Sequence, residues 1–356
     1  MNMLLRTSPL RRVLLTALAA LLVLIASQVL DPFRNFQFAT IAAYLCATAG
    51  LTVLTGLNGQ LSLGHGALMA SGAYTVALIQ DAFGGRQLAA GWILVVTLLG
   101  ALAVGVAAGA VIGLAAARLQ GPHLAGLTLG VAVIVPSLAT TFDALLGGEQ
   151  GLPVQAAQPP LALGATFPYE RWQVWLAWTI TLPTILLLTN LVHSRLGRDM
   201  RAVRDHEVAA SLSGIDVART RVVTFTVSAG CAALGGALLA VLTQVASPGS
   251  YPLTLSVFLL MAVVIGGLDS LTGAIWGALL LVALPDLAQS VTGLFSFPPG
   301  EAQRWEGNLP TAAFGLMLIT VMAVAPTGVS GLQRRVLRAA ADRWRARRPN
   351  PGAETP

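Results

Sequence analysis

The stretch Trp92-Ile-Leu-Val-Val-Thr-Leu-Leu-Gly100-Ala-Leu-Ala-Val-Gly105-Val-Ala-Ala-Gly109-Ala-Val-Ile-Gly113-Leu-Ala-Ala-Ala117 runs for 26 residues without one ionisable side chain. A helix of roughly 20 apolar residues crosses the hydrocarbon core of a bilayer. A segment this apolar on every face has no surface suited to water, so lipid is its natural solvent. Its glycines follow close to a four-residue period. Gly105-x-x-x-Gly109-x-x-x-Gly113 makes a smooth stripe on which a second helix can approach closely, a packing signal without chemistry.

The rest of the chain follows the same pattern. Hydrophobic residues make up 55% of the 356 positions and charged residues 10%, against about 25% charged in soluble domains. Further apolar runs cover Val13–Leu30, Phe38–Gly56, Ala67–Phe83, Leu124–Leu146, Val174–Val192, Val222–Thr243, Leu253–Gly267, Leu271–Gln289 and Pro310–Ala325. The expectation is an all-α polytopic membrane protein with about ten transmembrane helices.

All 21 basic residues are arginine. Without lysine there is no P-loop of the Walker type and no Schiff-base nucleophile. If the N-terminus is cytoplasmic and the spans alternate, 17 arginines fall inside and four (Arg34, Arg86, Arg171, Arg304) outside, the bias that orients membrane proteins. Both termini are then cytoplasmic: residues 1–12 at the start, a permease-sized membrane domain over 13–332, and a basic tail over 333–356. Within the membrane domain, 193–221 is a charged inside loop and 147–173 a long outside loop. Residues 1–30 also have the basic start and apolar core (Ala17–Ala26) of a signal peptide. The run is long for one, and Gln28–Leu30 is a poor cleavage context, so a retained first helix is expected. The tail reads as an anchor on the anionic inner leaflet. Cys46 and Cys231 read as small packing residues, and His65, His123, His193 and His206 lack metal-ligand spacing.

Two segments break the helical pattern. Thr55-Gly-Leu-Asn58-Gly-Gln60-Leu-Ser62-Leu-Gly-His65-Gly66 carries four glycines among polar side chains, and Ile265-Gly-Gly-Leu-Asp269-Ser270-Leu-Thr-Gly273 is similar. Irregular chain at membrane depth must be buried in protein or line a watery cavity; glycine-capped turns at the cytoplasmic face are the alternative. Two alike breaks, one in each half, hint at an internal repeat. Asn58, Gln60, Ser62, His65, Asp269 and Ser270 are the path candidates. Asp269 apart, the spans hold almost no ionisable residue, which argues against a proton-coupled carrier.

The inside loop gathers six arginines with Asp199, Asp205, Glu207 and Asp216. Its grammar is helix-turn-helix: Asp199 caps a first helix, Gly214 ends it in the left-handed conformation, and Asp216 caps the next. Val203, Ala210 and Ile215 would leave an apolar stripe for a partner's socket.

Glu207-Val-Ala209-Ala210-Ser-Leu-Ser-Gly214 resembles the E-A-A-x-x-x-G coupling loop of ABC-importer permeases. Gly197–Asp205, Thr55–Tyr74, the outside Gly147-Gly-Glu-Gln-Gly-Leu152, Ile265–Gly277 and Ala325–Leu332 resemble the branched-chain amino-acid permeases of LivM type. Relatives often carry a glutamate near Val133 and an arginine near Pro136, absent here, and Asp269 stands where glycine is common. The resemblance implies a non-catalytic permease subunit in a bacterial or archaeal inner membrane. It would have no cofactor and no nucleic-acid partner, and would work with a second homologous permease, two cytoplasmic ATP-binding subunits and an external solute-binding protein. Arg201, Arg204, Glu207, Ala209, Ala210 and Gly214 would form the ATPase-coupling loop. The cargo would be branched-chain amino acids, with urea or short amides as the family alternative. An ion-coupled carrier, a passive channel and a membrane enzyme are the competing classes; no nucleophile, metal set or acid–base pair supports the last.

Overall fold

The computed structural model describes residues 9–83, 90–119, 121–160, 163–164, 166–294, 301–325 and 327–335. Helices occupy all ten apolar runs: α1 (Pro9–Val29), α2 (Pro32–Leu51), α3 (His65–Phe83), α4 (Ala90–Ala116), α5 (Pro122–Thr141), the single turn α6 (Asp143–Leu146), α7 (Tyr169–His193), α10 (Val217–Thr243), α11 (Leu253–Gly266), α12 (Leu271–Leu294) and α13 (Glu301–Val324). Two short helices, α8 (Arg195–Asp205) and α9 (Glu207–Leu212), lie between α7 and α10. The described strands are the two-residue pair β1 (Leu152–Pro153) and β2 (Val245–Ala246), antiparallel to each other.

The chain is a polytopic helical membrane protein, but the count of about ten spans is not confirmed. Among the described residues seven helices are long and apolar enough to cross a bilayer, or eight if the bent pair Thr311–Ala323 and Gly328–Arg335 is one span. The shortfall has a physical cause at α3, which carries His65, Ser71, Thr75, Gln80 and Asp81 and buries twelve of its residues. Sheltered by protein, it needs no lipid-matched surface.

The core is built around α10, most of which is buried. Its small residues let three helices approach closely. Gly105 and Gly109 of α4 lie against Ala233 and Ala229, and Gly113 against Val222; the predicted stripe is the α4–α10 seam. A Cβ on Gly72 of α3 would overlap the Ala233 carbonyl, and one on Gly236 would overlap that of Met69. Gly50 and Gly235 seat α2 in the same way, against Cys231 and Ala43. Both cysteines are buried packing residues. A second layer adds α7, through Trp178 Nε1 donating to the Phe38 carbonyl (3.1 Å) and Thr181 to that of Ala42 (3.0 Å). Helix α12 is tied to α2 by Thr48 donating to the Ala274 carbonyl (3.1 Å). Helix α1 hangs on α7 through Ser27, which receives Trp175 Nε1 at 3.0 Å, and remains exposed along most of its length.

The two glycine-rich breaks are turns at one end of the bundle. In the first, α2 widens into a π-helical turn over Thr52–Leu57. The chain then leaves the helix, with Gln60 N donating to the Leu54 carbonyl (3.2 Å) and Thr55 Oγ1 to that of Gln60 (3.0 Å). In the second, Gly267 takes φ +115° after α11, and Ser270 receives Thr272 N at the start of α12. The turns touch directly: a Cβ on Gly56 would overlap the Leu268 carbonyl. The β1–β2 ribbon, joining the loops after α6 and α10, closes the opposite end.

Candidate functional site

The end holding both turns also carries the charged loop. The sequence reading placed the first cap at Asp199, and this is corrected: α8 starts at Arg195 behind Ser194, and Asp199 lies inside it. The chain breaks again at His206, whose extended backbone ends α8 and whose Nδ1 accepts from Ala209 N at 3.3 Å to open α9. Gly214 does sit in the left-handed region (φ +83°), with Ile215 N bonded to the Ala210 carbonyl. Asp216 caps α10 by accepting from Arg219 N at 2.9 Å.

The apolar stripe of Val203, Ala210 and Ile215 is corrected at its first two residues, while Ile215 is half-buried. Val203 and Ala210 are 4% exposed and face the protein's own bundle with Met200, because α8 needs that face to seat itself. The exposed apolar side chains are Val208 (62%) and Leu212 (83%), one turn apart on α9. They were missed, although an i, i+4 apolar pair just before a left-handed glycine is a signal readable in the sequence.

α8 and α9 form a bracket with four anchors. Gly197 packs against the backbone of Val192, and Arg201 donates to the Val192 carbonyl at 3.1 Å, capping α7. Glu207 pairs with Arg221 of α10 at 2.7 Å. Arg204 donates from one terminal nitrogen to the Gly56 carbonyl and to Asp269 Oδ1, both at 2.6 Å, and from Nε to Asp205 at 3.0 Å. Burial lowers the Arg204 pKa, but the hydrogen bonds and charges of Asp269 and Asp205 outweigh it, holding the group above its ordinary value. Asp269, 70% exposed, is thus a partner of the bracket, with Ser270 beside it capping α12.

The first turn's polar residues lie inside the bundle. Asn58 (3% exposed), Gln60 (5%), Ser62 and His65 are buried. His65 bridges Ser62 Oγ (3.0 Å) and Ser228 Oγ of α10 (2.8 Å). Gln60 Nε2 donates to the Arg221 carbonyl at 3.4 Å. Asn58 and Gln60 line a cavity of about 70 Å³ with Arg221 and Leu124. Facing away from the core, α5 carries an open stripe of Gly126, Gly130, Val133, Ser137 and Thr140, with no atom within 4 Å of a Cβ at either glycine. The sequence reading did not single it out, since small residues look alike whether packed or open.

Escherichia coli LivM, a high-affinity branched-chain amino acid transport system permease, is 31% identical over 267 residues, which is 68% of this chain and 61% of LivM. LivH of the same organism is 26% identical, over 82% of this chain and 92% of LivH. LsrC of Enterobacter sp., an autoinducer 2 import system permease, is 30% identical over 71% of each. The chain thus spans about three fifths of the length of the LivM relatives. No solved structure matches it. Over residues 34–325, which hold both turns, the bracket and the central helix, the sequence matches the branched-chain amino acid transport system permease components, and the chain belongs to that family.

Proposed function

We propose that the chain is one permease subunit of an ATP-binding-cassette importer for branched-chain amino acids, supplying half of the translocation path and one docking loop. It works with a second homologous permease, two ATP-binding subunits that hydrolyse the nucleotide, and an external solute-binding protein. The bracketed end faces the cytoplasm, together with both termini. The basic tail beyond residue 335 lies outside the described residues. The observation that carries this is the exposed Val208–Leu212 pair on α9. A stiff element tied to α7, α10 and both turns, with two apolar side chains held out to water, suits a groove on a soluble partner that must push on a membrane domain. Nucleotide then biases the pair of permeases between two states of access.

The test is uptake of labelled leucine into vesicles holding the permease pair, with the ATP-binding subunits and binding protein supplied in turn. Uptake should require ATP and both partners. Uptake without the ATP-binding subunits that collapses with an ion gradient would reject the proposal in favour of a secondary carrier. Binding of leucine, isoleucine and valine against urea and short amides by the solute-binding protein decides the cargo.

A further inference from the structure

We propose that Arg204 is the joint through which displacement of the coupling loop reaches both glycine-rich turns at once; this rests on the ATPase-coupled reading above. The π-turn at the end of α2 leaves the Gly56 carbonyl outside the helical ladder, and one nitrogen of Arg204 caps it at 2.6 Å. A cation at a helix C-terminus also meets the negative end of the helix dipole. The same nitrogen's second hydrogen goes to Asp269 Oδ1 in the turn between α11 and α12. Two segments more than 200 residues apart are therefore held by the two hydrogens of one atom.

The surroundings are shaped for this side chain. Gly59, with φ +73°, presents a bare face on which the Arg204 stem lies, its Cγ at 3.0 Å from where a Cβ would stand. Asp205, next in the chain, receives Nε and fixes the plane of the guanidinium. The two turns also meet directly, where a Cβ on Gly56 would overlap the Leu268 carbonyl. When the loop moves, α8 carries Arg204, and the end of α2 and the α11–α12 turn move with it or part from it. Arg204 and Asp269 are positioning residues: they set when the turns open and touch no cargo.

The experiment uses the whole reconstituted importer and reads labelled leucine taken up per ATP hydrolysed, together with the amount of ATP-binding subunit that copurifies. Arg204→Ala, which removes charge-assisted bonds to both turns, is expected to lower the ratio about tenfold while copurification stays at the wild-type level. Arg204→Lys retains the charge on a stem one bond shorter and lacks the Nε bond, and falls between wild type and alanine. Asp269→Asn, at an exposed position that does not endanger folding, lowers the ratio about threefold. An unchanged ratio in Arg204→Ala and Asp269→Asn, or a loss of copurification in Arg204→Ala, overturns the joint and leaves the transporter reading standing. A wild-type importer that neither retains the ATP-binding subunit nor needs ATP removes that reading and the joint with it.

Discussion

Leu212→Ala isolates the docking role of α9 from its folding. The side chain is 83% exposed, so the protein alone loses almost no packing when it is shortened. Alanine is also at least as good a helix former, so the six residues of α9 keep their conformation. The substitution removes three carbon atoms. At about 0.8 kcal/mol per buried carbon, discounted for the part already covered, docking should lose about 2 kcal/mol, or about 30-fold in affinity for the ATP-binding subunit. Val208→Ala, from a less exposed and smaller side chain, should cost about half as much. Titrating purified ATP-binding subunit onto the permease pair in nanodiscs measures both, with thermal stability as the control. An affinity within twofold of wild type in the double variant, at unchanged stability, refutes a groove that receives these side chains.

Other expectations follow from contacts at single positions. Glu207→Ala leaves Arg221, only 12% exposed, without its carboxylate; hydrogen exchange over 207–215 should quicken and uptake fall while membrane insertion persists. Gly214→Val meets no neighbouring atom but must hold φ +83°, so coupling should drop with α9 loosened, a loss visible in the same exchange measurement. Gly72→Leu would drive a side chain into the Ala233 carbonyl, at a cost of about 3 kcal/mol or more, and the protein should fail to accumulate. Gly126→Leu has open space and should accumulate normally, yet abolish uptake if α5 faces the second permease.

Seven or eight of the ten expected spans were legible because lipid imposes length and apolarity on each segment alone, and Gly105, Gly109 and Gly113 already marked the seam that α10 fills. What stayed hidden depends on which face meets which neighbour. In α8, Met200 and Val203 have the same spacing whether they meet a partner or the bundle, and only the folded chain turns them inward. The break at His206 was equally unreadable: a histidine accepting through Nδ1 is a rare helix cap, and Asp199 looked the better one. The pairing of Arg204 with Gly56 and Asp269 joins three segments distant in sequence, and no local pattern announces it.

The position of the polar residues bears on where a path runs. His65, Asn58, Gln60 and Ser62 stand out because polar groups in an apolar chain are costly and need a reason. The reason for His65 is internal, its two ring nitrogens being engaged by serines of α10 and the first turn, whereas the buried Asn58 amide has no hydrogen-bond partner among the described residues. If the chain supplies half of a path, as proposed, its share of the lining should lie on its outer surface, where the other half would meet it. The small and hydroxylated stripe on α5 has that property: it is open, it runs along a spanning helix, and its hydroxyls bond to carbonyls one turn back, as Ser137 does to Val133 at 2.9 Å. Under the proposed function such a wall would let a cargo with an apolar side chain slide without tight binding. It also explains why bulk at Gly126 should spoil transport and leave the fold intact, whereas bulk at Gly72, facing α10, should prevent the fold itself.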